Sequence, residues 1–185
     1  MHRLFFGLEI PAAIRQRLLQ VPTPVAGARW QRDDQFHITL LFLGDVESGR
    51  AVNARAAARD LPLEPFELDV HGLGSFGPPH NPRHVWAGVQ PLNPIAVMHE
   101  ALAARITGLG FTPEKRGFRP HVTLARFGKQ PGSVAALLDE YQSCSFGSFT
   151  VSDFVLFESK RGDQGSVYSV VERFGLMKTR QGSSP

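Results

Sequence analysis

His37-Ile38-Thr39-Leu40-Leu41-Phe42-Leu43-Gly44 returns further along the chain as His121-Val122-Thr123-Leu124-Ala125-Arg126-Phe127-Gly128. The offset is the same at both ends, since 121 − 37 and 128 − 44 both give 84. A histidine followed by a β-branched residue, Thr and Leu should arise after any one His about once in a thousand on ordinary residue usage. Two copies among seven histidines therefore point to a two-fold constellation.

Both copies are apolar, strand-like runs. Side chains at i and i+2 of a strand face the same way, roughly 6.5 Å apart. His37 and Thr39 thus share one face, as do His121 and Thr123. The other parity, Ile38, Leu40 and Phe42 in the first copy and Val122 and Leu124 in the second, reads as the face packed on a core. Each copy presents an imidazole beside a hydroxyl.

The rest of the chain arranges itself around these two strands. A strand near 3–10 precedes a helix opened by Pro11 and closed by Pro22. The first motif strand lies near 35–43 and an alanine-rich helix near 46–60. Strands near 65–76 and 83–90 are joined by Phe76-Gly77-Pro78-Pro79-His80-Asn81-Pro82, a stiff, turn-rich linker suited to a lobe boundary. The second half repeats the plan, with a helix near 94–109, the second motif strand near 119–127, a short helix near 133–141 and long strands near 146–159 and 165–174. The pattern predicts an α+β, bilobal fold. Its two pseudo-symmetric lobes each carry a small antiparallel sheet backed by helices, with a central cleft between them. Residues 1–178 form one such domain, and the small, polar 179–185 read as a disordered tail.

Composition narrows the setting. With 185 residues, 42% of them hydrophobic, the chain can bury a core without external staples. One cysteine, Cys144, excludes an intramolecular disulfide. The start runs directly into a strand-like segment interrupted by Glu9, unlike a signal peptide, and no apolar run reaches the roughly 18–20 residues of a membrane span. The expectation is a cytoplasmic monomer with no membrane attachment. A net charge of +3 is too small to argue for nucleic acid by itself. Its distribution says more, because Lys115, Arg116, Arg119, Arg126 and Lys129 bracket the second motif with no acidic residue among them. Lys115 and Lys129 read as ordinary surface charges, whereas Arg116, Arg119 and Arg126 lie close enough to His121 to suggest an anion.

If the motif strands lie side by side, two imidazoles and two hydroxyls converge on one cleft. A histidine pKa near 6.5 lets one ring be neutral while the other is protonated, as in-line displacement at phosphorus requires. One ring takes a proton from water and the other gives one to the leaving oxygen. Thr hydroxyls donate to non-bridging oxygens, and Arg126 adds charge-assisted bonds. No cofactor is needed. No Cys cluster, His-Glu-x-x-His or tight His/Asp group stands near either motif, so no metal is expected. Nor does a phosphate-binding glycine loop of nucleotide-dependent enzymes follow a strand. His2, His71, His80, His84 and His99 are scattered and read as surface or packing residues. For a single copy of the motif, a core histidine beside a good strand former would be the simpler reading; two matched copies reverse it.

With these motifs the chain resembles the 2H phosphoesterase superfamily, and within it the RNA 2′,3′-cyclic phosphodiesterases, historically called 2′-5′ RNA ligases. The resemblance rests on Arg3-Leu4-Phe5-Phe6-Gly7-Leu8-Glu9-Ile10-Pro11, on His37 to Gly44, on Arg119-Pro120-His121-Val122-Thr123-Leu124-Ala125-Arg126, and on Phe154-Val155-Leu156-Phe157-Glu158-Ser159, and spans Arg3 to about Lys178. It implies a bilobal α+β fold and hydrolysis of an RNA-terminal or nucleotide 2′,3′-cyclic phosphate to a 2′-phosphate, without metal. By the same resemblance His37 is the general acid toward O3′ and His121 the general base. Thr39, Thr123 and Arg126 hold the phosphate.

Strict alternation from His121 puts Ala125 on the cleft face and Arg126 behind the sheet. Arg126 reaches a phosphate only if the strand ends, twists or bulges after Leu124; otherwise it forms an ion pair behind the sheet. Arg116, Phe118 and Arg119 are candidates to contact RNA. Phe36, Trp30, Phe6 and Phe118 stand near the motifs as base-stacking candidates, Phe118 foremost, although with 14 phenylalanines core packing is the commoner fate. Two other functions share the pattern. One is ATP-independent, reversible 2′-5′ joining of RNA ends at the same site, and the other is an RNA- or nucleotide-binding module without turnover.

Overall fold

The computed structural model describes residues 1–112 and 114–177; the tail 179–185 lies outside the described residues. Nine strands and four helices follow one another along the described chain. The strands are β1 (His2–Glu9), β2 (Ala28–Trp30), β3 (His37–Val46), β4 (Phe66–Phe76), β5 (His84–Gln90), β6 (Val122–Phe127), β7 (Ser145–Val151), β8 (Asp153–Gly162) and β9 (Gly165–Gly175). The helices are α1 (Ala12–Leu18), α2 (Ser48–Ala58), α3 (Leu92–Thr107) and α4 (Ala135–Glu140), with a 3₁₀ turn at Asp33–Gln35.

The strand order β7-β4-β5-β6-β3-β1-β8-β9, antiparallel throughout, contains two four-stranded leaves. One is β3-β1-β8-β9 and the other β6-β5-β4-β7. They meet where the motif strands touch, at the single pair Ile38↔Val122. Beyond it the strands part, and the edge of β6 is taken by β2.

This layout confirms two related antiparallel leaves backed by helices, but they are not the two halves of the chain. The first leaf takes both ends of the sequence, and the second takes its middle. Residues 76–82 are the turn between β4 and β5 inside the second leaf, not a lobe boundary. The segment 146–159 is likewise two strands broken at Ser152, because β7 pairs with β4 at one margin of the sheet while β8 pairs with β1 and β9 near the other. One unbroken strand cannot serve both.

The core follows from periodicity. Ile95, Met98, Leu102 and Ile106 of α3 recur at helical spacing and are all buried, as are Ile14 and Leu18 of α1. They pack with Phe6, Leu8, Ile38, Leu40, Val122 and Leu124 from the sheet's inner face. Large, fully buried side chains of this kind stabilise by about 1.5–3 kcal/mol each relative to exposure.

Each motif strand carries a β-bulge at the matched position. Thr39 opposes Gly7 and Leu41 opposes Phe6, so Leu40 is the extra residue. Thr123 opposes Trp86 and Ala125 opposes Val85, so Leu124 is the extra one. A bulge shifts the side-chain parity of everything after it. Leu40 and Leu41 are therefore buried in succession, as are Leu124 and Ala125. Phe42 and Arg126 turn to the opposite face. Strict alternation, which put Phe42 with the core and Ala125 in the cleft, fails at these two bulges.

Candidate active site

His37 and His121 start from equivalent backbone. His37 Nδ1 bonds the carbonyl of Gln35 at 2.8 Å, and His121 Nδ1 bonds that of Arg119 at 2.6 Å, in each case two residues back. A carbonyl only accepts, so each Nδ1 carries its hydrogen and each Nε2 is the nitrogen left for the cleft. Continuing the register from Ile38↔Val122 by one residue either way sets His37 opposite Thr123 and Thr39 opposite His121. Thr39 shares a hollow with each histidine, His37 in the first and His121 in the second.

The carbonyl under His37 is firmly placed. The buried Gln35 side chain accepts from the Arg32 backbone N–H and donates to the carbonyl of Ser166 on β9, while Arg32 donates to the Gln164 carbonyl. The β8–β9 hairpin is thereby pinned over this side of the cleft.

The two rings sit in different surroundings. His37 is enclosed by Tyr168, edge-on with centroids 4.8 Å apart, by Phe5 at 5.0 Å and by Phe157 at 5.7 Å. Burial pushes its pKa down to about 4, with Arg126 and His121 adding to the effect and the Gln35 bond opposing it. His121 stands edge-on to Phe76 at 4.9 Å and beside Trp86 at 6.2 Å. Its pKa is lowered first by burial and further by Arg126, against the bond to Arg119. Trp86 lies flat on Gly74, where a Cβ would come within 2.3 Å of the indole, so glycine is required there. Both shifts favour neutral rings at neutral pH.

Two adjoining hollows, of about 780 and 660 Å³, meet at Thr39 and Phe42. His37 and Arg126 line the first; His121, Arg116, Phe118 and Arg119 line the second. Of the residues picked out by sequence, Thr123 lines neither, although it lies on the same face and is half-buried. Phe118 offers less stacking surface than its position suggested, because His99 covers one face in a parallel stack at 4.1 Å. Phe6 and Phe36 are core residues, and Trp30 lines the first hollow.

Several cleft residues escaped sequence reasoning. Tyr168 reaches His37 from the distant β9 hairpin, and the Gln35 side chain is fixed by that same hairpin, neither of which leaves a local signal. Phe5 had one, since odd positions of β1 pair with the His37–Thr39 face. His84, read from sequence as a surface or packing residue, lines the second hollow with His121. Among the described residues no three His, Cys, Asp or Glu side chains converge as a metal cage. No helix among them is long and apolar enough to cross a membrane.

Comparison with known proteins places the chain in a family and matches its fold. A profile of the 2′-5′ RNA ligase superfamily matches residues 10–163. The RNA 2′,3′-cyclic phosphodiesterase of Archaeoglobus fulgidus is 30% identical over 175 residues, covering 93% of this chain and 99% of that protein. That of Aeropyrum pernix is 34% identical over 142 residues, 75% of this chain and 81% of that protein. Among solved structures, a Thermus thermophilus protein superposes with a TM-score of 0.79 at 27% identity, covering 95% of this chain and 98% of its own. Escherichia coli LigT, crystallised with 3′-AMP, shares the fold with a TM-score of 0.77 at 24% identity over 96% of this chain and 99% of its own.

Proposed function

The chain belongs to the 2′-5′ RNA ligase superfamily, and from that premise we propose that its cleft hydrolyses RNA-terminal and nucleotide 2′,3′-cyclic phosphates to 2′-phosphates by paired histidine catalysis, without a metal. The observation that carries this reading is the matched presentation of two Nε2 atoms, each ring tethered through Nδ1 to a carbonyl two residues back. Two nitrogens held alike on either side of a shared cleft suit a displacement that needs one proton removed and one supplied.

Water, its proton taken by His121 Nε2, attacks phosphorus; the P–O3′ bond breaks, and His37 Nε2 delivers its proton to O3′. The product keeps the phosphate on O2′ and a free 3′-hydroxyl. Thr39, Thr123 and Arg126 hold the non-bridging oxygens, with Arg126 turned into the cleft by the Leu124 bulge. Burial disfavours the protonated His37 ring, and the negative charge of a bound phosphate favours it, which lets the ring hold the proton it delivers. Arg116 and Arg119 at the second hollow contact the RNA. The chain is read as acting alone, on RNA ends or cyclic nucleotides.

The test is turnover of adenosine 2′,3′-cyclic phosphate in EDTA, with the product's phosphate position determined. The expected product is the 2′-phosphate. His37→Ala and His121→Ala should each lose about 10²–10⁴-fold in kcat, the usual contribution of a positioned acid or base. Turnover near wild type in either variant, dependence on added metal, or a 3′-phosphate product would sink the proposal.

A further inference from the structure

Arg126 is not alone at its level of the sheet. On one side it is paired with Arg29 of β2, and on the other with His84 of β5. Directly opposed residues share a face with Cβ atoms roughly 4.5–5.5 Å apart, and like charges so placed destabilise a sheet. Arg29 and Arg126 line the first hollow and His84 the second, so the row Arg29–Arg126–His84 runs from one hollow to the other.

Among the described residues, no acid neutralises this row. Arg3, Arg15, Arg32, Arg55, Arg59 and Arg173 each have a carboxylate partner. Arg29, Arg126 and His84, by contrast, have among the described residues neither a carboxylate within salt-bridge distance nor a side-chain hydrogen bond. The acids that line the hollows are Asp163 and Glu114, and neither reaches the row. The His84 ring leans edge-on against Phe76, which also packs against His121. Burial first, then Arg126, His121 and Arg83, hold its pKa below the ordinary value, as befits a ring set among cations with no carboxylate to answer them.

The row is displaced from the catalytic centre by a meaningful distance. His84 lies two residues along β5 from Trp86, the partner of Thr123, which is about 6.5 Å of strand. That is close to the separation of neighbouring phosphates on one nucleic acid strand. A cyclic phosphate carries one negative charge, and the histidine and threonine pairs with Arg126 suffice for it. Arg29 and His84 are surplus to that need.

We propose that Arg29 and His84, flanking Arg126, form a second phosphate subsite that takes the phosphate on the 5′ oxygen of the substrate's terminal nucleotide. This rests on the cleft being a cyclic phosphodiesterase site. Arg126 then bridges the two subsites, its guanidinium touching the reacting phosphate on one edge and the 5′-phosphate on the other. The subsite distinguishes an RNA end, which always carries a phosphate there, from a free nucleoside 2′,3′-cyclic phosphate, which does not.

The experiment compares adenosine 2′,3′-cyclic phosphate with and without a 5′-phosphate. In the wild type the 5′-phosphate should raise kcat/KM about tenfold, the equivalent of one good charge-assisted contact. In Arg29→Ala and His84→Val that gain should shrink to about twofold or less. Equal kcat/KM for the two substrates in the wild type, or a gain that survives in both variants, overturns the subsite. Should the wild type turn over neither substrate, the cyclic phosphodiesterase reading fails, and binding still decides the subsite. Adenosine 3′,5′-bisphosphate should then bind about tenfold more tightly than adenosine 3′-phosphate in the wild type but not in the variants, and equal binding overturns it.

Discussion

The two sides of the cleft are built on the same backbone and furnished differently. Each has a histidine tied through Nδ1 to a carbonyl two residues back, a threonine two residues on, and a bulge one residue after that threonine. Past the bulge they diverge. The first strand turns Phe42 into the cleft, into a small apolar cluster with Phe5, Val155, Phe157 and Tyr168, and Arg3 stacks on its ring at 4.9 Å. The second turns in Arg126, flanked by Arg29 and His84. Repeated backbone aims two identical nitrogens, and unrepeated side chains give them different surroundings. Arg126 lowers the pKa of both rings, so enclosure is what sets them apart. In the proposed mechanism the aromatic cluster around His37 suits a ring that must give up its proton readily.

The sharpest way to break this comparison is to make the two histidines interchangeable. General acid catalysis matters only when the leaving group is a poor one. A substrate that expels a phenoxide, such as catechol cyclic phosphate, needs little protonation. His37→Ala should therefore lose about 10²–10⁴-fold on adenosine 2′,3′-cyclic phosphate and recover most of that loss on the aryl substrate. His121→Ala should stay impaired on both. The reverse pattern would exchange the roles, and equal losses on both substrates in both variants would end the assignment.

Activity against pH probes the same asymmetry with nothing mutated. In the proposed mechanism the productive free enzyme holds a proton on one ring and none on the other. Both pKa values lie below 6.5, His37 at about 4. Above both values the singly protonated fraction falls about tenfold per pH unit. For a cyclic mononucleotide, kcat/KM should accordingly peak on the acid side of 6.5 and fall as pH rises from there to 8, approaching about tenfold per unit. A profile flat or rising over that interval would mean that the cleft does not hold both rings neutral.

Much of this was legible in the sequence, and what was not has identifiable causes. The doubled motif sets the fold class, the cleft and the two histidines. The strand topology is hidden because nothing local says that Ser152 lets the chain cross from β7 in one leaf to β8 in the other. Arg126 can be placed only conditionally, because a bulge at Leu124 leaves no trace in an apolar run where either parity is hydrophobic. Tyr168 comes to His37, and Ser166 to the Gln35 side chain, through a long-range hairpin contact. His84 is inconspicuous because one histidine in a strand carries no motif; only its register opposite Arg126 gives it meaning.

Stability reports on the His37 side by itself. A histidine whose pKa is depressed by folding binds its proton more readily in the unfolded chain, so folding is favoured most above the unfolded value and loses ground as pH falls toward the folded one. Between pH 6.5 and about 4 the shift at His37 corresponds to a loss of about 2–3 kcal/mol. Urea unfolding of the wild type at pH 7 and pH 4.5 should include it, and His37→Phe should shrink the difference by about that amount while keeping an aromatic ring among Phe5, Phe157 and Tyr168. An equal pH dependence in both proteins would mean that the aromatic enclosure does not set the protonation of His37.

The smallest effect bears on whether the two sides act as one unit. His99 of α3 touches both: its Nδ1 donates to the carbonyl of Leu40, the bulged residue of the first motif strand, at 2.7 Å, and its ring lies parallel to Phe118, three residues before His121. His99→Phe keeps a ring for the stack and strands the Leu40 carbonyl, a loss of about 1 kcal/mol in stability. His99→Gln, which keeps a donor, should recover part of it. Phe118→Ala leaves the hydrogen bond and removes the stack. If α3 transmits strain from the first bulge to the second motif, His99→Ala and Phe118→Ala should be non-additive in a double-mutant cycle on kcat, by about 0.5–1 kcal/mol. Additive losses would show that the bulge and the loop are held independently, each leaf positioning its own histidine with only the Ile38–Val122 pair and the substrate between them.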